Sequence, residues 1–304
     1  MTEAKRVVVV GSLNYDILLG QTRLPSRGET LHCRQAATAS GGKGANQAVQ
    51  AAKLGATVYL VGAVGQDALG DALLASCRSY GVHTDFVRRS EGASGLGVVQ
   101  CLPDGSVYAT VAEGANGSVT PDRVREAETC LAQADAILLQ FEIPMETNAF
   151  VMAYARQKGI PVLLNPSPAK AEGRPLLAAA SCLILNEQEA SFFCGEALCD
   201  AASVAKHRRA LQALNARRMI VTLGAQGSVL VEPDGVCHIR PTGLARVVET
   251  TGAGDSYAGA YAVRRLMGDE PAAACRYACR AAEYTIGQAG AQNAMPTRQN
   301  MEGA

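Results

Sequence analysis

The segment Thr250-Thr251-Gly252-Ala253-Gly254-Asp255-Ser256 follows the apolar pair Val247-Val248 and precedes Tyr257-Ala258-Gly259-Ala260-Tyr261, a run of helical character. Two glycines at a strand-to-helix junction leave backbone N–H groups facing open space at the positive end of a helix dipole. That arrangement suits an anion, phosphate above all. Asp255 is out of character beside a phosphate, since like charges repel. It makes sense as a base that takes the proton of a hydroxyl attacking a phosphoryl group. The simpler account is an acid in a helix's first turn that complements the dipole. Taken whole, the segment points to phosphoryl transfer.

Five other stretches carry polar groups at element ends. Gly41-Gly42-Lys43-Gly44-Ala45-Asn46-Gln47-Ala48 opens a helix, and Lys43 and Asn46, three apart, share one side of its first turn. It is not a Walker A loop, because Ala37 holds the first glycine position and Gly44 follows the lysine. Asn14 and Asp16, alternating on an extended segment, can bond two vicinal hydroxyls of a polyol; taken alone, an Asx-rich turn is the better account of them. Glu142 sits at the carboxyl end of an apolar run, where open α/β sheets place ligand groups, or else is a solvated loop acid. Asn186-Glu187-Gln188-Glu189 follows a strand in the same way: Asn186 and Glu189 form a capping box, organise water around a phosphate-bound Mg²⁺, or do both. Thr222-Leu223-Gly224-Ala225-Gln226-Gly227 is either a loop along nucleotide phosphates or a glycine hairpin.

These groups need a scaffold, and the chain supplies a βαβ rhythm. The apolar runs predict strands at 7–10, 57–61, 136–140, 161–164, 182–185, 219–223 and 228–232. Helical periods lie between them at 43–54, 68–80, 121–132, 145–158, 201–214, 254–267 and 272–286. The alternation implies a mainly parallel sheet with helices on both faces. Thr120-Pro121 is a good helix start, and Gly55, Gly81 and Gly159 are natural stops. Two segments, 17–35 and 95–111, lack intervening helices and carry turn residues at Pro25-Ser26-Arg27-Gly28 and Pro103-Asp104-Gly105. They are expected to form a small antiparallel flap over one end of the core, with an apolar face to bury against substrate or a second copy. No linker divides the 304 residues, so one domain over 1–304 is expected, with lid segments at about 13–40 and 94–112.

Composition removes several classes. Hydrophobic residues make up 48% and charged residues 18%, as in a globular enzyme. Lys+Arg and Asp+Glu both total 28, so no basic surplus recommends nucleic acid or an anionic membrane as partner. No apolar run reaches membrane length, and 7–10 is too short for a signal peptide, which implies a cytoplasmic protein. The ten cysteines include no C-x-x-C pair, and most of them read as small buried hydrophobes rather than metal ligands. After the first strand only Gly11 of a G-x-G-x-x-G loop is present, which argues against an NAD-dependent dehydrogenase.

Taken in order, these pieces resemble the ribokinase-like (PfkB) family of carbohydrate kinases from about Val7 to Pro296. Two specific signatures carry the likeness, Gly41-Gly42-Lys43-Gly44-Ala45-Asn46-Gln47-Ala48 and Thr250-Thr251-Gly252-Ala253-Gly254-Asp255. Supporting segments are Gly11-Ser12-Leu13-Asn14-Tyr15-Asp16, Gly114-Ala115-Asn116, Asn165-Pro166-Ser167-Pro168, Asn186-Glu187-Gln188-Glu189 and Gly290-Ala291-Gln292. The resemblance implies a three-layer α/β sandwich with a mainly parallel central sheet and a small antiparallel β lid. It implies ATP-dependent phosphorylation of the 5-hydroxyl of D-ribose, with deoxyribose, a ketose or a nucleoside as alternative acceptors and a non-catalytic sugar-binding protein as the remote alternative.

Roles carry over by matched position. Asn14, Asp16, Gly42, Lys43, Asn46 and Glu142 would hold the sugar, with Asp255 the catalytic base that also touches it. The N–H groups of Gly252, Ala253 and Gly254 would form the anion hole. Asn186, Thr222, Gly224 and Gly227, together with Gly254, would line the ATP site, with Glu189 supporting Mg²⁺ indirectly. An activating K⁺ would take Glu249, where family members commonly have Asp, and the carbonyls of Thr251, Thr285, Gln288 and Gly290. A homodimer through the lid completes the expectation.

Overall fold

Strand β1 (Arg6–Val10) is valine at four successive positions, and all four side chains are fully buried. Val7 and Val9 join one apolar cluster while Val8 and Val10 join another. A strand covered on both faces must be apolar throughout, which is why this run shows no alternation. The computed structural model describes residues 4–103, 107–214, 217–243 and 246–302. Asp104 and Gly105 of the expected second flap turn lie outside the described residues.

The remaining strands are β2 (Asn14–Gly20), β3 (Gln35–Gly41), β4 (Thr57–Gly65), β5 (Val82–Ser90), β6 (Gly95–Cys101) and β7 (Val107–Ala112). After them come β8 (Ala136–Gln140), β9 (Val162–Asn165), β10 (Cys182–Asn186), β11 (Met219–Thr222), β12 (Ser228–Glu232) and β13 (Gly235–Ile239). Among the described residues, nine strands form one sheet in the order β13-β12-β11-β10-β9-β8-β1-β4-β5. It is parallel from β5 to β11, and β12 and β13 run antiparallel at one edge. The strand order turns back at β1, which has β4 on one side and β8 on the other. Such a switch point leaves a crevice beyond the strands' carboxyl ends.

Helices α1 (Lys43–Lys53), α2 (Ala68–Ser79), α3 (Pro121–Arg125), α4 (Glu128–Leu131), α5 (Met145–Lys158), α6 (Glu187–Cys194), α7 (Ala201–Lys206), α8 (Arg208–Gln212), α9 (Ala253–Leu266), α10 (Pro271–Ile286) and α11 (Arg298–Glu302) cover the sheet. Residues of α1, α9 and α10 bury themselves with Val7 and Val9; residues of α3 to α8 do so with Val8 and Val10. The chain therefore has the expected mainly parallel sheet flanked by helices. Two expected helices are each broken: 121–132 into α3 and α4, and 201–214 into α7 and α8, the latter at His207, which leaves helical geometry with ψ 18°. Strands β5 and β13 had no counterpart in the sequence reading. Both are edge strands whose outward side chains are exposed and polar in part, so their apolar runs are short.

Strands β3-β2-β6-β7 form the second, four-stranded sheet. Its outer pairings, β2–β3 and β6–β7, are antiparallel, and the central pair β2–β6 is parallel. The parallel pairing is possible because the chain travels through α1, β4, α2 and β5 between those two strands, a connection long enough to return in the same direction.

The site end of the fold depends on one close approach. A Cβ on Gly44, in the first turn of α1, would lie 2.5 Å from the Ser12 nitrogen and 2.6 Å from the Gly11 carbonyl carbon. Backbone cannot yield there, so Gly44→Ala is expected to lower stability by about 2 kcal/mol or more through overpacking. Gly92→Ala, whose Cβ meets nothing within 4 Å, is the control and should stay within about 0.5 kcal/mol. Urea unfolding of the two variants checks the difference.

Candidate active site

At the carboxyl ends of β1 and β8, beside the switch point, the chain gathers its first polar cluster. Glu142 Oε2 accepts hydrogen bonds from the Ser12 hydroxyl, from Asn14 Nδ2 at 3.4 Å and from the Lys43 backbone N–H at 3.1 Å. Asn14 is aimed by buried Asn116, which donates to Asn14 Oδ1 at 2.7 Å and accepts from the Leu13 N–H at 2.9 Å. Gly42, with φ 87°, begins α1 beside them.

Asp16 follows Asn14 by two residues on β2, on the same face of the strand. Its carboxylate lies where side chains on Gly41 and Gly97 would be, so these two glycines on the neighbouring strands make room for it. Among the described residues no hydrogen bond reaches that carboxylate. Burial, then the charges of Glu142 and Asp255, push its pKa up to about 7, with Lys43 pulling the other way.

Asp255 lies in the first turn of α9, almost fully buried. Its Oδ2 accepts from Asn46 Nδ2 at 2.9 Å, and its Oδ1 from Gln47 Nε2 at 3.1 Å. Both donors come from α1, which approaches because α9 carries Gly259: a Cβ there would stand 2.8 Å from that of Gln50. Burial raises the Asp255 pKa, Lys43 and the two amides oppose the rise, and Glu142 adds to it; the net direction is upward. Lys43 is the complement. Burial works against its charge, but Asp255, Glu142, Glu189 and Asp16 together outweigh that and raise its pKa.

Gly252 caps α9 in the left-handed region at φ 77°. The Ala253 N–H makes a long 3.3 Å bond to the Thr250 carbonyl, and the Ser256 N–H reaches the Gly252 carbonyl at 2.8 Å. Among the described residues the N–H groups of Gly252, Gly254 and Asp255 have no backbone partner. They are the free donors at this helix start.

A cavity of about 720 Å³ runs outward from Lys43 and Asp255. Asn186, Glu189, Thr222, Gly224, Gly227 and Gly254 line its polar part, and Val247, Ala282 and Ile286 form an apolar part. Asn186 and Glu189 make the capping box: Asn186 Oδ1 accepts the Glu189 N–H at 2.8 Å, and Glu189 Oε2 accepts the Asn186 N–H at 2.9 Å. One Glu189 oxygen is therefore committed to the helix. Among the described residues no group of three or more His, Cys, Asp or Glu side chains could hold a metal ion.

Glu249 Oε2 accepts the Gly290 N–H at 2.7 Å, whereas its Oε1 is buried without a partner. A buried carboxylate oxygen left without a donor is a group that a bound cation would satisfy. Thr251, Thr285, Gln288 and Gly290 belong to the segments meeting there. The Thr285 hydroxyl itself is turned inward to the Ser256 hydroxyl at 2.8 Å.

Four contributors escaped the sequence reading: Ser12, Gln47, Asn116 and Gln140. Gln47 and Asn116 stood inside quoted motifs without an assigned part. Gln140, fully buried at the last position of β8, donates to Gln47 Oε1 at 2.7 Å. A glutamine ending an otherwise apolar strand was the available signal.

Residues 4–298 match the model of the pfkB family carbohydrate kinases. The chain belongs to the pfkB family. It is 36% identical over 299 residues to the ribokinase of Bacillus subtilis, covering 98% of both chains. It is 30% identical over 294 residues to the deoxyribokinase of Salmonella typhi, covering 96% of this chain and 95% of the relative. Among solved structures, Arabidopsis thaliana ribokinase complexed with ribose and ATP superposes with a TM-score of 0.88 at 32% identity, covering 99% of this chain and 98% of the other. A pfkB kinase transfers a phosphoryl group to an alcohol, and the two ends of the cleft differ accordingly in their chemistry.

Asp16 sets a pH-dependent cost on folding. Its native pKa of about 7 exceeds the unfolded value, so its contribution favours folding below pH ~4 and is lost as pH rises through ~7. Asp16→Asn, which mimics the protonated form, should therefore be more stable than the parent at pH 8, by about 2 kcal/mol or roughly 4 °C in Tm. The gain should fade between pH 7 and pH 4, as read by thermal scans across that range.

Proposed function

We propose that the protein uses ATP to phosphorylate the 5-hydroxyl of D-ribose, giving D-ribose 5-phosphate. The observation that carries this reading is the meeting of two helix starts. The α1 start brings Lys43, Asn46 and the Asn14–Asp16–Glu142 cluster, and the α9 start brings Asp255 with free N–H groups at the mouth of the nucleotide-sized cavity. The named likenesses to ribokinases support the choice of sugar.

Asp16, the one carboxylate of this cluster without a donor among the described residues, accepts sugar hydroxyls. Asn14 and Glu142 present one orientation each because Asn116 and Ser12 fix the atoms they turn away. Lys43 keeps its charge among the carboxylates and screens their repulsion for the incoming phosphate. Asp255 accepts the proton of the 5-hydroxyl as that oxygen attacks the γ-phosphate in line. The N–H groups of Gly252 and Gly254, with that of Ala253 when its long bond to Thr250 opens, face the charge that gathers on the phosphoryl oxygens. Asn186, Thr222, Gly224 and Gly227 line the ATP end, and the apolar Val247, Ala282 and Ile286 receive the base. When bound, Mg²⁺ neutralises phosphate charge, and Glu189 orients its water shell. Glu249, with the carbonyls of Thr251, Thr285, Gln288 and Gly290, would hold K⁺ next to the helix start, its longer side chain spanning to Gly290 while leaving Oε1 for the ion.

The four-stranded sheet acts as the lid of a single domain over 1–304 and closes the sugar from water. Its edge strand β7 leaves Tyr108 and Val111 about half exposed, which supports a homodimer in which two lids pack together. The ten free thiols suit a reducing, cytoplasmic setting. Among the described residues no helix is long and apolar enough to cross a membrane.

Asp255→Asn should lower kcat by about 10²–10⁴-fold while ATP affinity stays within about threefold; near-parent turnover sinks the assignment. The likeness to a deoxyribokinase favours 2-deoxy-D-ribose as the second reading. A panel of D-ribose, 2-deoxy-D-ribose, a ketose and a nucleoside, assayed for ADP formation with and without K⁺, separates the acceptors. D-ribose is expected to lead, and K⁺ to speed the parent but not Glu249→Ala.

A further inference from the structure

An ionised carboxylate accepts hydrogen bonds and donates none. That elementary fact fixes the direction of every amide around Asp255. Asn46 must turn its Nδ2 toward Oδ2, and Gln47 its Nε2 toward Oδ1, so the carbonyl oxygen of each amide faces away and needs a donor. Each finds one. Gln292 Nε2 reaches Asn46 Oδ1 at 3.1 Å, and Gln140 Nε2 reaches Gln47 Oε1 at 2.7 Å. One step further out, Gln292 Oε1 accepts the Ser76 hydroxyl at 2.8 Å. Gln140 Oε1 ends its arm without a partner, against Gly11. The second N–H of Gln47 goes to Asn165 Oδ1 at 3.2 Å, and Asn165 in turn donates to the Ile184 carbonyl at 2.8 Å.

We propose that two directed amide relays, Gln140–Gln47 on one oxygen and Ser76–Gln292–Asn46 on the other, position the Asp255 carboxylate and hold it in its acceptor form, which makes Gln140 and Gln292 positioning residues for phosphoryl transfer. Asn46, Gln47, Gln140 and Gln292 are all at most 5% exposed, so water cannot substitute for a lost link. Protonating Asp255 breaks the polarity of one arm, because an amide N–H cannot accept the new O–H. The relays therefore work against the other influences on this carboxylate. Burial and the charges of Glu142, in the loop after β8, and Asp16, on β2, favour its neutral form, while Lys43 on α1 favours the charged one.

This inference rests on Asp255 being the base, and the two ideas fail differently. If Asp255→Asn keeps near-parent turnover, the base assignment falls and the relays fall with it. With Asp255→Asn inactive, the relays are tested by the pH dependence of kcat at saturating D-ribose and ATP. Gln140→Leu and Gln292→Leu, neither of which touches Asp255, should each lower plateau kcat about tenfold and move the acid limb upward by about one pH unit. The KM for ATP should stay within about twofold. Gln140→Leu should add no further shift in a Gln47→Leu background, since the first link of its arm is already gone. Ser76→Ala, the outermost link and the mildest change, should move the limb in the same direction by less. Gln140→Met and Gln292→Met, closer in length to glutamine, are read the same way if the leucine variants do not fold. An unmoved acid limb in these variants, or a Gln140 effect that persists without Gln47, overturns the proposal.

Discussion

Four carboxylates around one ammonium set the terms for this site. Asp16, Glu142, Glu189 and Asp255 all act on Lys43, and with burial they outnumber it. Crowded, desolvated carboxylates drive one another toward the neutral form unless donors are brought to them. The chain supplies those donors unevenly. Glu142 Oε2 has three, Asp255 has an amide on each oxygen, and Glu189 is bonded into its own helix cap. Asp16 has none among the described residues. On the proposed function, that unsatisfied carboxylate is the one left for the acceptor's hydroxyls.

That crowding is only possible because of how the backbone is laid out. The strand order reverses at β1, so the loops after β1 and β8 open into the same crevice. The helices α1 and α9 then lie close enough at Gly259 for two successive side chains of α1 to reach one carboxylate on α9. A larger side chain at 259 would separate them, and Asp255 would lose its two amide donors without itself being changed. The glycines at 44 and 259 are thus part of the site without touching any ligand.

The residues themselves explain how much of this could be read from the chain. Apolar runs located the strands covered on both faces, β1, β4 and β8 to β12, since burial there demands continuous hydrophobicity. The edges β5 and β13 were invisible because an edge strand answers to solvent on one side. Asp255 and Glu142 stood out because charge at the end of an apolar element needs a reason. Gln47 and Gln140 did not, since an amide's part depends on which neighbour holds its other end. Gln140 and Gln47 are 93 positions apart, and Gln292 and Asn46 are 246 apart. No local pattern connects such pairs; only the packing of α1 against β8 and the loop after α10 does.

That last loop joins two parts of the site that look separate. Lys53, half buried and with its pKa lowered by burial to about 8, points its ammonium at the carbonyls of Gln292, Asn293 and Met295 and lies 4.8 Å from the centre of the Tyr80 ring. At its other end the loop is held by Glu249 Oε2 on the Gly290 N–H. Gln292, which orients Asn46 and through it Asp255, sits between these two anchors. A cation on the orphaned Glu249 Oε1 would therefore share its carboxylate with one anchor of that loop. In this chain one glutamate side chain spans from the segment before α9 to the loop and still keeps Oε1 without a partner.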